Sequence, residues 1–275
     1  MMTKLLTGFM VRLISSFFLL VMAFNVSADS RFDHGDWQQL LQKNVYEINS
    51  GQATEVDYSA FKQQEAELKR YLQRLTEVSQ GQFDLWSKND QLAFLINAYN
   101  AWTVELILSK YPELESIKDL GSLFRSPWKK EFIPLLGDIR SLDNIEHELI
   151  RGSDRYNDPR IHFAVNCASI GCPALAREAY TGAHLDQQLE KSTVLFLQDR
   201  SRNRLKGDDL EISSIFKWYR GDFKQGWRGA NSLEAFLVGY SEALSLTQEQ
   251  AKALLAEDID IDFLSYDWQL NDKKS

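Results

Sequence analysis

"NDQLAFLINAYNAWTVELILSKYP", residues 89–112, is the stretch that decides the fold. Its residues are apolar nearly all round rather than along one stripe, which predicts a helix buried in the middle of a domain. Asn89 or Asp90 is a suitable cap for its start, and Pro112 marks its end. The sequence therefore predicts a globular domain in which the other elements pack around this helix.

The segments on either side predict further helices and short strands. Helical periodicity runs through residues 36–48 and 59–78, and "KEFIPLLGDIRSL" predicts two strands around a turn at Gly137-Asp138. The remaining predicted elements are helices at 141–151, 172–180, 184–198 and 232–256, a strand at 160–166, a hairpin at 203–213, a helix or turn at 215–223, and a terminal strand within 258–268. The predicted fold class is α+β, a mostly helical single domain with a small, mainly antiparallel sheet.

Residues 1–28 have the pattern of a secretory signal peptide. A positively charged start is followed by an apolar stretch from Leu13 to Phe24, and small residues precede Asp29. The apolar stretch is shorter than the ~20 residues that a membrane-spanning helix needs. The sequence thus predicts a periplasmic or secreted protein that is cleaved near Ala28 and consists of one domain, residues 29–275, with no integral membrane segment after cleavage.

The charge of the chain excludes some classes of partner. The formal net charge is −8, and loss of Lys4 and Arg12 with the signal peptide would change it to −10. An acidic chain without a basic cluster argues against nucleic acid and anionic lipid as partners. We expect a peptide or small-molecule substrate instead, and no sequence motif indicates a cofactor.

Both cysteines lie in "IHFAVNCASIGCP", residues 161–173, which allows three interpretations. In an oxidising compartment, a disulfide between Cys167 and Cys172 is the default. A zinc site would combine these cysteines with His147 and His162, but the spacing is not that of a CxxC hook, so this interpretation ranks lowest. The third interpretation is a cysteine nucleophile with a histidine base.

The predicted elements make either thiol a candidate nucleophile. Cys167 lies where the predicted strand ends and a turn begins, a usual place for a reactive group on a rigid support. Cys172 directly precedes Pro173, where a helix N-terminus would lower the pKa of a thiol. The residues alone leave disulfide and nucleophile open.

Glu146 and the nearby histidines are candidate partners of the cysteines. Glu146 falls on the apolar stripe of the 141–151 helix, so its carboxylate needs a cation or a donor, unless it forms a capping box with Asp143. His147 points about a quarter-turn away from it. Alternation along the predicted strand places His162 and Asn166 on one face.

Two amides, Asn97 and Asn100, share a face of the central apolar helix. A buried amide without partners costs about 1–3 kcal/mol, so both must be hydrogen-bonded. The simpler interpretation is that they tie the helix to neighbouring backbone. The alternative is that Asn97 orients a catalytic group or binds an oxyanion.

Five motifs together resemble the DUF547 family, a domain of unknown function found in exported bacterial proteins and in plant proteins. They are "FLINAYNAWTVELIL", "SLDNIEHELIR", "IHFAVNCASIGCPAL", "ISSIFKWYRGDF" and "FLSYDWQLN", and the resemblance runs from about residue 35 to 271. Plant members of the family have serine at the position of Cys172. The resemblance therefore implies that Cys167 is the working thiol, that Cys172 is an accessory, and that the Glu146-His147 helix forms the other half of the site.

The layout is also loosely similar to papain-like and transglutaminase-like cysteine enzymes. Those enzymes place cysteine before histidine along the chain, whereas His147 and His162 precede Cys167 here. Only a circularly permuted arrangement would fit this order, so the similarity is an analogy of layout.

The predicted function is that of a hydrolase or acyl transferase acting on a peptide or amide. The roles are Cys167 as nucleophile, His147 as base with His162 as second candidate, Glu146 or an amide such as Asn97 as orienter, and Asn166 or the backbone N–H groups of residues 168–172 as oxyanion donors. The alternative is a non-catalytic binding or scaffold domain with a Cys167–Cys172 disulfide.

Overall fold

Helices are the predominant regular element of the structure, a computed structural model that describes residues 31–121 and 126–273. These residues fall within one compact unit, Arg31–Ser275. The helices are α1 (Gly35–Asn44), α2 (Tyr58–Gln63), α3 (Glu65–Thr76), α4 (Gln80–Asp84), α5 (Lys88–Leu108), α6 (Leu142–Asn144), α7 (Leu185–Gln198), α8 (Ser214–Trp218), α9 (Leu233–Val238) and α10 (Gln248–Leu255). A π-helix, Ile145–Arg151, continues α6, and a short 3₁₀ helix spans Pro159–Phe163.

Three small sheets complete the fold over the described residues. β1 (Val45–Ile48) pairs antiparallel with β2 (Ala53–Val56), and β3 (Ile133–Leu135) forms a hairpin with β4 (Asp138–Arg140). In the third sheet, β6 (Asp209–Ser213) lies between antiparallel β5 (Arg204–Lys206) and parallel β7 (Ile261–Leu264). The α+β prediction is confirmed, although the strands form three sheets rather than one.

The predicted signal peptide, residues 1–28, lies outside the described residues. Among the residues that the structure describes, no helix is both long enough and apolar enough to cross a membrane.

The central helix α5 is the buried element that its sequence predicts. From Gln91 to Leu108, every residue except Glu105 is buried. The predicted cap is wrong by two or three positions, because the Ser87 side chain accepts the N–H of Asp90 and starts the helix. The first core surrounds α5, and a second core of phenylalanines, including Phe163 and Phe216, lies under α7, α8 and α9.

The predicted strand at 160–166 is wrong. Pro159 occupies the first position of the 3₁₀ helix, and the Asp158 side chain accepts the N–H of Arg160 as its cap. Proline favours the first turn of a helix and cannot donate to a strand ladder. The expected alternation is therefore lost, and both His162 and Phe163 are buried.

The predicted helix at 172–180 is also wrong, and the segment is irregular. Remote side chains bind its backbone: Leu175 N–H donates to Thr54 Oγ1, Ala179 N–H to Gln38 Oε1, and Tyr180 N–H to Asn97 Oδ1. These partners replace the hydrogen bonds of a helix. Cys172 is consequently not at a helix N-terminus, and the expected dipole effect on its thiol does not apply.

Two helix boundaries also differ from the predictions. The helix expected over 36–48 ends at Asn44, because residues 45–48 pair as strand β1 with β2. The last predicted helix, 232–256, is divided into α9 and α10. Tertiary pairing and turns thus shorten the helices that periodicity alone predicts.

Buried His34 makes the fold sensitive to acid. Its Nδ1 lies 2.7 Å from the hydroxyl of Tyr71, and burial lowers its pKa to about 3. Because the folded state binds the proton less readily than the unfolded state, stability is complete above the ordinary pKa of ~6.5 and decreases as the pH falls. We expect a loss of about 4 kcal/mol between pH 6.5 and pH 3 from this residue alone.

Urea unfolding of His34→Gln across this pH range measures the effect. The variant should show a flatter dependence of unfolding free energy on pH than the original protein, with His184→Gln, which changes an exposed histidine, as the matched control. Equal slopes for the original protein and His34→Gln would contradict the assignment.

Candidate functional site

A cleft with about 800 Å³ of space between its walls brings together five of the predicted site residues, Glu146, His147, His162, Cys167 and Cys172. Its walls come from α5, the α6–π-helix segment, the 3₁₀ helix and the following turn, α8, and the chain after β7. The described residues that line it are Tyr99, Ser126, Trp128, Asp143, Glu146, His147, His162, Val165, Cys167, Cys172, Pro173, Ile215, Trp218, Tyr219, Tyr266 and Trp268.

Cys167 and Cys172 form a disulfide on the wall of this cleft. Their sulfur atoms lie 2.11 Å apart, and neither cysteine is free. The Tyr266 hydroxyl lies 3.1 Å from Cys167 Sγ and 3.2 Å from Cys172 Sγ, and Ser169 Oγ lies 3.1 Å from Cys167 Sγ. In the part of the chain that the structure describes, no hydrogen bond joins either sulfur to a histidine nitrogen.

The turn after Cys167 is held in a sparsely populated conformation. Ala168 has φ 62°, and its N–H donates to Asn166 Oδ1 at 2.9 Å. The Asn166 amide also donates to Pro173 O at 2.7 Å, so one side chain closes both ends of the turn. Left-handed backbone at a non-glycine residue is a form of strain that often occurs at functional sites.

The same turn accommodates a close backbone approach at Gly171. Its N–H donates to Asp267 O at 2.9 Å, and a Cβ there would lie 2.9 Å from that oxygen and 3.0 Å from the Tyr266 ring. Glycine therefore lets the segment after β7 bring Tyr266 against the two sulfur atoms.

Asn97 and Asn100 act as ties between α5 and the site segments. Asn100 Nδ2 donates to Ala164 O at 2.9 Å, and Asn100 Oδ1 accepts the N–H of Asn166 at 2.8 Å. Asn97 exchanges two hydrogen bonds with the backbone of Tyr180, at 2.7 and 3.0 Å. Neither amide lines the cleft, which agrees with the simpler interpretation of both residues.

Glu146 is buried at the cleft wall, with 6% of its surface exposed. It does not form a capping box with Asp143, because the Ser141 side chain caps α6 through the N–H of Asn144. Burial raises the pKa of Tyr99 and Tyr219, and the negative charge of Glu146, which contacts both hydroxyls, raises them further. Both phenols therefore stay protonated and can donate to the carboxylate.

His162 is oriented by a carboxylate that the sequence analysis does not include among the site residues. Its Nε2 lies 2.8 Å from Asp222 Oδ2, and its ring stacks on Tyr219 with centroids 4.0 Å apart. Burial opposes the charge on Asp222, but hydrogen bonds from His162 and Arg151 outweigh it and hold the pKa of Asp222 well below its usual range. Burial lowers the pKa of His162.

These contacts define the state of the imidazole ring. Because Asp222 is ionised and His162 is neutral, Nε2 carries the proton and donates it to the carboxylate. Nδ1 is left as an acceptor, and it is buried without a hydrogen-bond partner among the described residues. A buried acceptor without a partner is unusual and calls for an explanation such as a catalytic role.

The ring nitrogens of His147 have other partners than those of His162. Its Nδ1 lies 2.6 Å from Arg151 Nη1, so this nitrogen accepts a hydrogen bond from the guanidinium group. Its Nε2 is 3.7 Å from Asp143 Oδ1, and its Nδ1 is 3.9 Å from Glu146 Oε1. Arg151 in turn donates to both oxygens of Asp222, at 2.6 and 3.0 Å. His147 and His162 thus belong to one polar network joined through Arg151 and Asp222.

One side of the cleft is an aromatic wall, which we define as Trp128, Trp218, Tyr266 and Trp268. Ring centroids are 4.4 Å apart for Tyr266 and Trp268, 5.6 Å for Trp218 and Trp268, and 5.7 Å for Trp128 and Trp268. These residues and Asp222 were missed by the sequence analysis. Two of the family-like motifs, "ISSIFKWYRGDF" and "FLSYDWQLN", contain all of them except Trp128 and were the available signal.

Outside the disulfide cleft, the described residues offer little further chemistry. These residues include no group of three or more His, Cys, Asp or Glu side chains arranged to hold a metal ion. A second cavity, with about 590 Å³ of empty space, lies between the 174–180 segment and α7 and has no cysteine or histidine in its lining. Candidate chemistry is thus concentrated at the disulfide cleft.

Comparison with protein families gave a match to part of the chain. A family model described as "Protein of unknown function, DUF547" matches residues 83–197, which contain the first three of the five motifs. The motifs that supply Asp222, Tyr266 and Trp268 follow this range. Comparisons with curated proteins and with solved structures gave no significant match.

Proposed function

We propose, taking the chain as a member of the DUF547 family over residues 83–197, that it is a thiol-dependent acyl-transfer enzyme, a hydrolase or acyl transferase acting on a peptide or amide. The site is the disulfide cleft, and Cys167 is the nucleophile once its bond to Cys172 is reduced. The observation that carries the proposal is His162, whose Nε2 is fixed by Asp222 while its Nδ1 is left without a partner. Nucleophile, base and orienter are the parts that such catalysis needs.

His162 is a better base than His147 on this geometry. The lone pair on His147 Nδ1 already accepts the Arg151 guanidinium, whereas that on His162 Nδ1 has no partner in the described ranges. Asp222 fixes the tautomer of His162, which is the function of the carboxylate in a catalytic triad. The proposal therefore makes His162 the base and leaves His147 to position Arg151.

The proposed reaction begins with the reduced site. A dithiol reductant converts the disulfide into two thiols and is itself oxidised to a disulfide. His162 Nδ1 accepts the proton of the Cys167 thiol as Sγ bonds to the carbonyl carbon. The carbon–nitrogen bond then breaks, the amine leaves with that proton, and a thioester forms on Cys167. Water or another acceptor takes the acyl group from this thioester and returns a proton to the sulfur, which regenerates the thiol.

Tyr266 supplies a donor beside the reacting sulfur. Its hydroxyl lies 3.1 Å from Cys167 Sγ, and burial raises its pKa, so it stays protonated at neutral pH. A fixed donor at this place suits the oxygen that becomes negative in acyl transfer. We assign this role to Tyr266 rather than to Asn166, whose amide is engaged by Pro173 and Ala168.

Export to the periplasm or the extracellular space is part of the same proposal. The predicted signal peptide supports it, and an oxidising compartment is where a Cys167–Cys172 disulfide persists. The intact mass of the protein purified from the periplasm should then correspond to a chain that begins at Asp29. A chain that retains residues 1–28 would contradict cleavage.

A chromogenic acetyl ester tests the acyl-transfer step. After reduction, p-nitrophenyl acetate should release a burst of about one p-nitrophenolate per chain and leave an acetyl group on Cys167 that mass spectrometry locates. Cys167→Ser and unreduced protein should give no burst, and Cys172→Ser should keep it without reductant. A burst that persists in Cys167→Ser, or its absence from the reduced protein, would contradict the proposal.

The alternative is a non-catalytic binding domain, and a specific observation favours it. The two sulfur atoms are bonded to each other, and neither is hydrogen-bonded to a histidine in the described part of the chain. In this alternative, the disulfide fixes the cleft wall, and the cleft binds a ligand without transforming it. Absence of the acetyl burst together with ligand binding would select it.

A further inference from the structure

We propose that the disulfide cleft binds ligands that carry an organic ammonium group on an apolar body. This inference names the substrate class of the proposed enzyme. It rests on the proposed function in one respect, that the cleft is the substrate site. Binding itself involves no thiol chemistry, so it can be measured in the oxidised protein.

The first supporting observation is the chemistry of the cleft walls. Six of the lining side chains are Tyr or Trp, and the two carboxylates Asp143 and Glu146 lie among them. No lysine or arginine is among the lining residues that the structure describes. Aromatic faces attract cations through the ring quadrupole, and carboxylates add a full negative charge. The cleft therefore favours cations over anions.

The second observation is that no lysine or arginine among the described residues forms an ion pair with Glu146, although Arg151 is near enough to feel its charge. Glu146 contacts the hydroxyls of Tyr99 and Tyr219, and His147 Nδ1, 3.9 Å from Glu146 Oε1, accepts a hydrogen bond from Arg151 and so carries no proton. The Arg151 guanidinium is directed to Asp222 and His147. A buried carboxylate is costly without a cation, and a ligand ammonium group would supply one.

The third observation is that rings of this cleft already bind cations of the protein. Lys118 Nζ lies 3.7 Å from the Trp268 centroid, and Arg151 Cζ lies 4.8 Å from the Tyr219 centroid. Trp218, next to Trp268, is 48% exposed and forms an open part of the aromatic wall. An ammonium group on an apolar body would thus contact ring faces and bury apolar surface together.

Paired probes of equal shape test the inference. Choline and its neutral carbon analogue 3,3-dimethylbutan-1-ol differ by one positive charge, as do butylammonium and butan-1-ol. In ligand-observed NMR titrations of the oxidised full chain at constant ionic strength, we expect the charged member of at least one pair to bind at least about tenfold more tightly. The pair that shows the difference distinguishes a quaternary from a primary ammonium ligand.

Variants distinguish binding in the cleft from attraction of the cationic probe to the net negative charge of the protein. Glu146→Gln should reduce the preference for the charged probe by about tenfold, and Trp218→Ala, at an exposed position where folding is not at risk, should weaken binding of the charged probe. Trp227→Leu is the matched control, because its ring contacts Arg160 and Arg228 outside this cleft. Equal binding of charged and neutral probes, no binding of either, or an unchanged preference in both Glu146→Gln and Trp218→Ala would overturn the inference.

The outcomes are independent of those for acyl transfer. The oxidised protein, in which Cys167 is bonded to Cys172, gives no acetyl burst by design, and it is the form in which probe binding is measured. Ammonium binding without an acetyl burst would contradict the proposed enzyme and support the proposed ligand class. An acetyl burst without preference for the charged probe would support the enzyme and contradict the ligand class.

Discussion

Asp222→Asn should slow alkylation of Cys167 by iodoacetamide at neutral pH by about 100-fold or more, the size of a general-base effect. Asp222 accepts hydrogen bonds from His162 Nε2 and from Arg151. With an amide in its place, the side-chain NH₂ group can face His162 while the oxygen accepts from Arg151. The imidazole proton then moves to Nδ1, and the free acceptor of the proposed base is lost.

The measurement is made in a Cys172→Ser background, so that Cys167 is free without reductant. Asp222→Asn also removes one partner of Arg151, and because both groups are partly exposed we expect a loss of about 2 kcal/mol rather than the ~3–5 kcal/mol of a fully buried pair. Phe61→Leu, in the first core and away from the cleft, destabilises the fold by a comparable amount of about 1–2 kcal/mol. It should keep the alkylation rate, and an equal slowing in both variants would show that the effect is one of stability.

Arg160→Met should lower the free energy of unfolding by about 2–3 kcal/mol, less than the ~3–5 kcal/mol of a fully buried pair because Asp186 and Glu190 are partly exposed. The Arg160 guanidinium, with 4% of the side chain exposed, forms ion pairs with Asp158 at 2.7 Å, Asp186 at 2.7 Å and Glu190 at 2.8 Å. Methionine fills similar space but leaves these carboxylates without their central cation. The pairs join the 3₁₀ helix that carries His162 to α7, so the same variant should also slow Cys167 alkylation.

Arg228→Met is the matched control for this change. Arg228 forms ion pairs with the same Asp186 and Glu190, at 3.3 and 2.9 Å, and its guanidinium also lies over Trp227, but half of its side chain is exposed. Water screens such pairs, and we expect a loss below about 1 kcal/mol. Urea unfolding of the two variants measures the difference, and equal losses would contradict the role given to buried Arg160.

Local patterns were sufficient to predict the parts of the fold that depend on local physics. The apolar sequence of α5 predicts its burial, and Gly137-Asp138 predicts the β3–β4 hairpin. The irregular segment 173–180 was mispredicted because its backbone partners, such as Thr54 and Asn97, are far away in sequence. Periodicity carries no information about which distant side chain binds a backbone group.

The residues of the site also divide into those that local sequence predicts and those that depend on distant partners. Cys167, Glu146, His147 and His162 were identified from residue type and local context, and all four line one cleft. Asp222 was missed because it follows His162 by 60 residues and has no distinctive local pattern. Tyr266 was missed for the same reason, since it reaches the sulfur atoms only through the close approach at Gly171.

The most direct test of the account is the pH dependence of Cys167 alkylation in Cys172→Ser, with and without His162→Gln. If His162 is the base, the rate should stay high as the pH falls and decrease only when His162 takes up a proton. Because burial lowers the pKa of His162, that decrease should have its midpoint below the ~6.5 of an ordinary histidine. His162→Gln should move the midpoint toward the ~8.5 of a free thiol. Identical profiles with midpoints near that of a free thiol would contradict a cysteine–histidine site and leave a disulfide-fixed binding cleft.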